Sequence, residues 1–281
     1  MNNSICVCGA GTMGAGIAQA AAQHGFKVTL YDHNEAAIIH AREQIGNNLQ
    51  SLLEKQKITY HSMHGILANI NFVAEVKYCS ADIIIEAIAE KLELKTILFR
   101  QLAAINGEHS VYASNTSSLP VTDIAEAHPY PNRLVGMHFF NPPTIMKLVE
   151  IIHTPFSGND CIRLIMELAK DMGKVPVLCK DSPGFIVNRV ARPFYIESLR
   201  LAEEGVSIPT IDALMESAGF KMGPFRLMDL IGNDINFAVS CSVYEQLGKP
   251  ARLEPSIIQQ QKVSEGKLGR KSGAGYYTYT L

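Results

Sequence analysis

The sequence predicts an α/β fold: a doubly wound, mainly parallel sheet followed by a second, smaller all-α domain. Three observations carry this. Residues 5–32 run strand, glycine turn, Ala-rich helix, strand, acid. Short apolar runs then alternate with helical stretches to about residue 180. Beyond Lys180-Asp181-Ser182-Pro183-Gly184 only helical patterns remain.

Ile5 to Cys8 is apolar throughout and reads as a buried parallel strand. It enters Gly9-Ala10-Gly11-Thr12-Met13-Gly14 directly. Gly9 suits the tight turn, Gly11 admits a pyrophosphate close to the backbone, and Gly14 permits close packing of helix and strand. Thr12 and Met13 lie between them, where the first N–H groups of a helix face an anion. The second strand, Lys27–Tyr31, ends at Asp32, whose carboxylate is placed to accept from ribose hydroxyls. A bare GxGxxG also occurs as a Gly-rich turn in unrelated α/β proteins. The whole order of elements makes this one a Rossmann-type dinucleotide fingerprint. Asp32 opposes a 2′-phosphate and His33-Asn34 offers no arginine, so NAD is expected rather than NADP.

The remaining elements follow the same alternation. A helical stretch over 34–56 leads into a polar connection through Tyr60-His61-Ser62-Met63-His64, together a helix-turn-helix excursion from the sheet. Strands are predicted at 71–73, 81–87, 111–114, 134–139, 147–152 and 175–179, with helices at 91–105 and 161–172. Asn141-Pro142-Pro143 breaks the chain between two of these strands, and an antiparallel tail to the sheet is allowed. The domain boundary is placed at 183, dividing 1–183 from 184–281. Helices are expected at 185–204, 208–219, 224–247 and 254–264, with Asp181 or Ser182 capping the first and Pro183 in its first turn.

Composition excludes several classes. Of 281 residues, 47% are hydrophobic and 19% charged, as in a well-cored globule. A net charge of −2 gives no reason to expect nucleic acid or an acidic membrane surface as partner. The start, MNNSICVCGAG, has no basic segment and enters a strand at once, and no apolar run approaches 18 residues. A cytoplasmic protein without a membrane segment is expected. The six cysteines include no CxxC pair; Cys6 and Cys8 alternate along one strand, share a face of the sheet and read as core. The nine histidines show no HxxxH spacing, so no metal site is expected.

Three segments carry candidate chemistry. Ala113-Ser114-Asn115-Thr116-Ser117-Ser118 is small and polar at a strand's C-terminal end, where open α/β sheets bind ligands. His138 ends another strand within Gly136–Pro143, among apolar neighbours. Glu150 is a lone carboxylate in the apolar strand 147–152 and needs a partner if buried. Alone, His138 reads as a satisfied core histidine and Glu150 as an edge charge. Paired on adjacent strands beside a nicotinamide site, they suit a hydride enzyme. The imidazole removes a hydroxyl proton and the carboxylate fixes its tautomer and stabilises the imidazolium.

The chain resembles the 3-hydroxyacyl-CoA dehydrogenase family, which includes the bacterial 3-hydroxybutyryl-CoA dehydrogenases. Seven blocks carry the resemblance: GAGTMGAGIAQ at 9–19, ASNTSSLPVT at 113–122, GMHFFNPP at 136–143, KLVEII at 147–152, KDSPGFIVNRV at 180–190, MGPFRLMDLIG at 222–232 and GRKSGAGYY at 269–277. The resemblance implies His138 as catalytic base, Glu150 as its partner, and Ser117 and Asn188 as groups positioning the substrate's 3-oxygen. It places Asn115 near nicotinamide and adds Glu90, Lys95 and Lys271 on the cofactor side. For coenzyme A it points to the helical excursion, where Lys55 matches a basic position and Asn48 stands where some relatives have Ser. The acyl-CoA substrate and a homodimer formed through the helical domain come from the resemblance alone. It leaves short-chain, longer-chain and 3-hydroxyadipyl-CoA substrates open. A catalytically silent NAD-binding protein and a dehydrogenase of free β-hydroxyacids are the competing readings; the presence of His138, Glu150 and Asn188 weighs against the first, and HFFNPP with a following Glu against the second.

Overall fold

The computed structural model describes residues 4–280; residues 1–3 and Leu281, which the sequence assigns to the domain ends, lie outside the described residues. The chain divides into two compact units, the first ending at Asp181 and the second beginning at Ser182.

The first unit is an eight-stranded sheet in the order β3-β2-β1-β4-β5-β6-β7-β8. Its strands are β1 Ile5–Cys8, β2 Val28–Tyr31, β3 Ile70–Val73, β4 Ile83–Glu86, β5 Val111–Ser114, β6 Leu134–Phe139, β7 Leu148–His153 and β8 Val175–Lys180. All neighbours pair parallel except β6 and β7, so the antiparallel tail allowed by the sequence is present. β1 and β4 are buried at every residue, as central strands covered on both faces must be. Ile5 and Val7 join the core with Ile17, Ala18 and Ala21 of α1, Thr12–Gln23. β8 forms one edge, with Val175, Val177 and Leu178 exposed.

Four local readings are corrected. Residues 60–64 are not a connection but the first turns of α3, Tyr60–Ala68, which follows α2, Glu35–Glu54. Thr59 caps α3 by accepting from the Ser62 N–H at 3.1 Å, and a polar helix start reads as a loop from its side chains alone. Between α4, Leu92–Asn106, and β6 lies α5, Val121–Glu126, which is short enough to show no period. Neither Asp181 nor Ser182 caps the next helix, and Pro183 is outside it. α6 spans Asn159–Asp171, and α7 starts only at Val187 and runs to Glu203. Gly184 (φ +71°) and Phe185 (φ +49°) take the left-handed region and delay the helical path. Asp181 instead holds the start of α5, accepting from the Thr122 N–H at 2.7 Å and Oγ1 at 2.6 Å. The stretch 224–247 is two helices, α9 Pro224–Ile231 and α10 Asn233–Gln246, after α8 Ile208–Ser217; Gly232 at φ +106° turns the chain between them.

The second unit is helical, completed by α11 Ile257–Ser264. Tyr195, Leu199, Ile211, Phe225 and Met228 form its core. Buried Asp229 straps the C-terminal tail to it, accepting from the Tyr276 and Tyr277 N–H groups at 2.9 and 3.0 Å and from the Tyr279 hydroxyl at 2.9 Å. Among the described residues no helix is long and apolar enough to cross a membrane.

The steric demand at Gly14 yields a prediction. A Cβ there would lie 1.7 Å from the Gly9 carbonyl oxygen, backbone that cannot swing away. Gly46, inside α2, has open space around its Cβ position. Gly14→Ala should destabilise by about 1–3 kcal/mol, whereas Gly46→Ala should add up to about 1 kcal/mol. Thermal unfolding of the two variants checks the order; a Gly14→Ala protein as stable as wild type would refute the close approach.

Candidate active site

The C-terminal ends of the strands meet in one row. Tyr31 pairs with Cys8, Cys8 with Glu86, Glu86 with Ser114 and Ser114 with Gly136. The dinucleotide turn leaves this row between β2 and β4, where the strand order reverses and open sheets bind ligands.

Gly9 is held on both sides: its N–H donates to the Tyr31 carbonyl at 2.7 Å, and the Ala87 N–H donates to the Cys8 carbonyl at 2.7 Å. Its φ of +105°, and a Cβ position 2.6 Å from the Ala87 oxygen, admit only glycine. Gly11 faces open space and no side chain caps α1, whose first turn holds Thr12 and Met13. The turn thus presents a helix N-terminus with room for an anionic group, a cradle that fits the pyrophosphate of NAD. Asp32 closes it, accepting from the Ala10 N–H at 2.8 Å and the Asn34 N–H at 2.9 Å, and each oxygen keeps a further acceptor position.

A buried charged cluster stands beside it. Lys95, 1% exposed, donates to Glu86 at 2.6 Å and pairs with Glu90 at 3.2 Å. Glu86 also accepts from Ser114 Oγ at 2.6 Å and the Ile88 N–H at 2.7 Å. Burial pushes the Glu86 carboxyl up against the opposing pull of Lys95. Glu90 is also partly desolvated, yet Lys95 and the Thr116 hydroxyl outweigh burial and its carboxyl lies below the ordinary value. One Glu90 oxygen gathers the loop after β5, accepting from Thr116 Oγ1 at 2.6 Å and from the Ser117 and Ser118 N–H groups at 2.8 and 3.0 Å. Sequence reasoning missed Glu86; its signal was an acid ending an apolar strand, with a lysine in the first turn of the helix that follows.

His138 and Glu150 face each other in the β6–β7 ladder. His138 Nδ1 lies 2.7 Å from Glu150 Oε2, and Nε2 lies 3.1 Å from Ser117 Oγ. His138 is 4% exposed and Glu150 1%. With Nδ1 protonated and donating to the carboxylate, Nε2 is the basic nitrogen. Asn115 ties the neighbouring strand end to this pair, accepting from the Phe139 N–H through Oδ1 at 2.8 Å. The structure therefore brings Ser117, His138, Glu150 and Asn115 together on one end of the sheet.

The other candidates belong to other elements of the chain. Asn48 lies on α2 and donates through Nδ2 to buried Gln19 at 3.1 Å, while Lys55 is exposed at the C-terminus of the same helix. Asn188 and Lys271 belong to the second unit. Asn188 is in the first turn of α7, and the Lys271 ammonium is engaged by Asp234 at 2.7 Å.

The chain matches family models along nearly its whole length. Residues 4–182 match the 3-hydroxyacyl-CoA dehydrogenase NAD binding domain, and 184–279 the C-terminal domain of the same family. It is 43% identical to the 3-hydroxyadipyl-CoA dehydrogenase of Escherichia coli (strain K12) over 98% of its own length but only 59% of that protein's. It is 40% identical to the probable 3-hydroxybutyryl-CoA dehydrogenase of Bacillus subtilis (strain 168), covering 98% of this chain and 96% of that one. The crystal structure of (S)-3-hydroxybutyryl-CoA dehydrogenase from Ralstonia eutropha superposes with a TM-score of 0.94 at 35% identity, covering both chains completely. By its site-bearing sheet and by these matches, the chain belongs to the NAD-dependent 3-hydroxyacyl-CoA dehydrogenase family.

Proposed function

We propose that the chain interconverts (3S)-3-hydroxyacyl-CoA and 3-oxoacyl-CoA, with short-chain 3-hydroxybutyryl-CoA and acetoacetyl-CoA as its substrates. The observation that carries this reading is the hydrogen-bonded series Glu150–His138–Ser117 at the same end of the sheet as the dinucleotide turn. NAD would be held by Gly9, Gly11, Thr12, Met13, Gly14 and Asp32, with Glu90, Lys95 and Asn115 on the nicotinamide side, and supplies the hydride acceptor. His138 Nε2 takes the proton of the 3-hydroxyl. Glu150 holds Nδ1–H, so that the lone pair of the neutral ring sits on Nε2, and stabilises the imidazolium that forms. The family resemblance supports Ser117 and Asn188 as the groups that fix the 3-oxygen. Lys271 and Asn48 are assigned supporting contacts to cofactor and coenzyme A. The 3-hydroxyadipyl-CoA relative supports a second substrate reading, and a series of 3-oxoacyl-CoA substrates, including the adipyl form, separates the two by kcat/KM. The second unit would also form a homodimer, as the resemblance implies; it carries exposed apolar side chains at Val190, Leu214 and Ile257.

His138→Gln should keep the fold and NADH binding while kcat falls about 10²–10⁴-fold. Glu150→Gln should lose nearly as much, and the double variant little more than either, because the pair acts as one unit. Losses that add in log kcat would place Glu150 outside the proton path.

Asp32→Ala should weaken NADH binding and narrow the preference over NADPH. A wild-type protein that uses both equally would overturn the assignment of Asp32. Lys55→Ala should raise KM for acetoacetyl-CoA, leave KM for NADH alone and barely change kcat. Added salt should raise the wild-type KM more than the variant's, since an exposed charge contact is screened; equal KM values at low ionic strength would move the coenzyme A contact elsewhere.

A further inference from the structure

Spacing along the chain separates Cys79 from Cys6 and Cys8, yet the fold unites them. Cys6 and Cys8 project from the face of β1 opposite Ile5 and Val7, with their Sγ atoms 3.8 Å apart. Cys79 lies in the crossover from β3 to β4 and adds a third sulfur, so that all three lie within 4.8 Å of one another. Its backbone is fixed: the Cys79 N–H donates to the Val76 carbonyl at 2.9 Å, and Asn106 Nδ2 donates to the Cys79 carbonyl at 2.9 Å. The Asn106 side chain also accepts from the Ala81 N–H at 2.9 Å, clamping the crossover at two points. All three thiols have no solvent exposure.

We propose that Cys6, Cys8 and Cys79 form a binding site for a soft, thiophilic trivalent centre of the arsenite class. Three arguments select it. The first is distance. A centre bonded to three sulfurs at about 2.3 Å, the length of a metal–thiolate bond, holds them roughly 3.5–4 Å apart, and the cluster needs only a small contraction to match. The second is ligand type. Three converging sulfurs with no oxygen or nitrogen ligand select soft centres over hard ones. The third is charge. Among the described residues no cationic side chain is hydrogen-bonded to these thiols, so a charged complex would be left unpaired in a dry interior. Zinc with three thiolates is an anion and wants a fourth ligand; a monovalent metal with three thiolates is doubly negative. Arsenite is neutral on both sides of the reaction. As(OH)3 and three thiols give As(SCys)3 and three waters: three S–H and three As–O bonds break, three As–S and three O–H bonds form, and no oxidation state changes.

The test is retention of arsenite by the whole chain. Because the sulfurs are buried, the protein is refolded from urea with arsenite present, desalted, and examined by native mass spectrometry. The expected result is one arsenic per chain with the loss of three hydrogens, and a higher Tm than the protein refolded without it. Cys79→Ala and Cys6→Val should fold, as circular dichroism will show, and lose the adduct; Cys241→Ser should keep it, since that cysteine lies outside the cluster. No retained arsenic, an adduct lacking only two hydrogens, or an adduct that survives Cys79→Ala would overturn the site. Zinc retained at one equivalent where arsenite is not would overturn the trivalent ligand.

Discussion

One antiparallel pairing governs the candidate site. β7 runs against β6, and its register sets Glu150 directly opposite His138. A slip of one residue would send Glu150 to the other face of the sheet and leave a carboxylate buried in the core that holds Met137, Phe139 and Ile165, with nothing to hold it. The pairing and the His138–Glu150 hydrogen bond therefore specify each other. The parallel half of the sheet is the frame that delivers β6 to this point, because β5 carries the Asn115–Ser118 loop to the same end.

The second group of charges works by saturation. Glu86 and Lys95 set a carboxylate and an ammonium in a dry place, and Glu90 adds a second carboxylate at its exposed edge. Glu86 is bonded by Lys95, Ser114 and a backbone N–H, and Glu90 by two hydroxyls and two N–H groups as well as Lys95. Removing one partner would leave the others desolvated and unmatched, which costs more than the pair contributes. The cluster also gives the loop after β5 its shape, so the hydroxyl beside His138 is positioned by a carboxylate two residues before the lysine-led start of α4.

Strand positions and the glycine turn were legible in the sequence because apolar runs and glycine spacing are local signals. His138 and Glu150 were legible as odd residues in apolar strands, although their facing one another depends on a register no local pattern carries. What was hidden depended on partners far along the chain. Asp181 reads as a helix cap until Thr122 takes it. Cys79 reads as an isolated thiol until the crossover folds onto β1. Gly232 sits inside a continuous helical period and shows its break only through a left-handed turn.

The exposed edge of the sheet has a consequence for how copies of this chain meet in concentrated solution. The Val175 N–H reaches inward to the Lys147 carbonyl, so by strand alternation the amide of residue 176 points outward. That residue is Pro176, which has no N–H to offer. An incoming strand would lose a rung of the ladder at this point and meet the exposed Lys180 at one end. The apolar side chains on β8 thus stand on a border that is poor at templating, and runaway strand-by-strand growth is discouraged without the edge being covered.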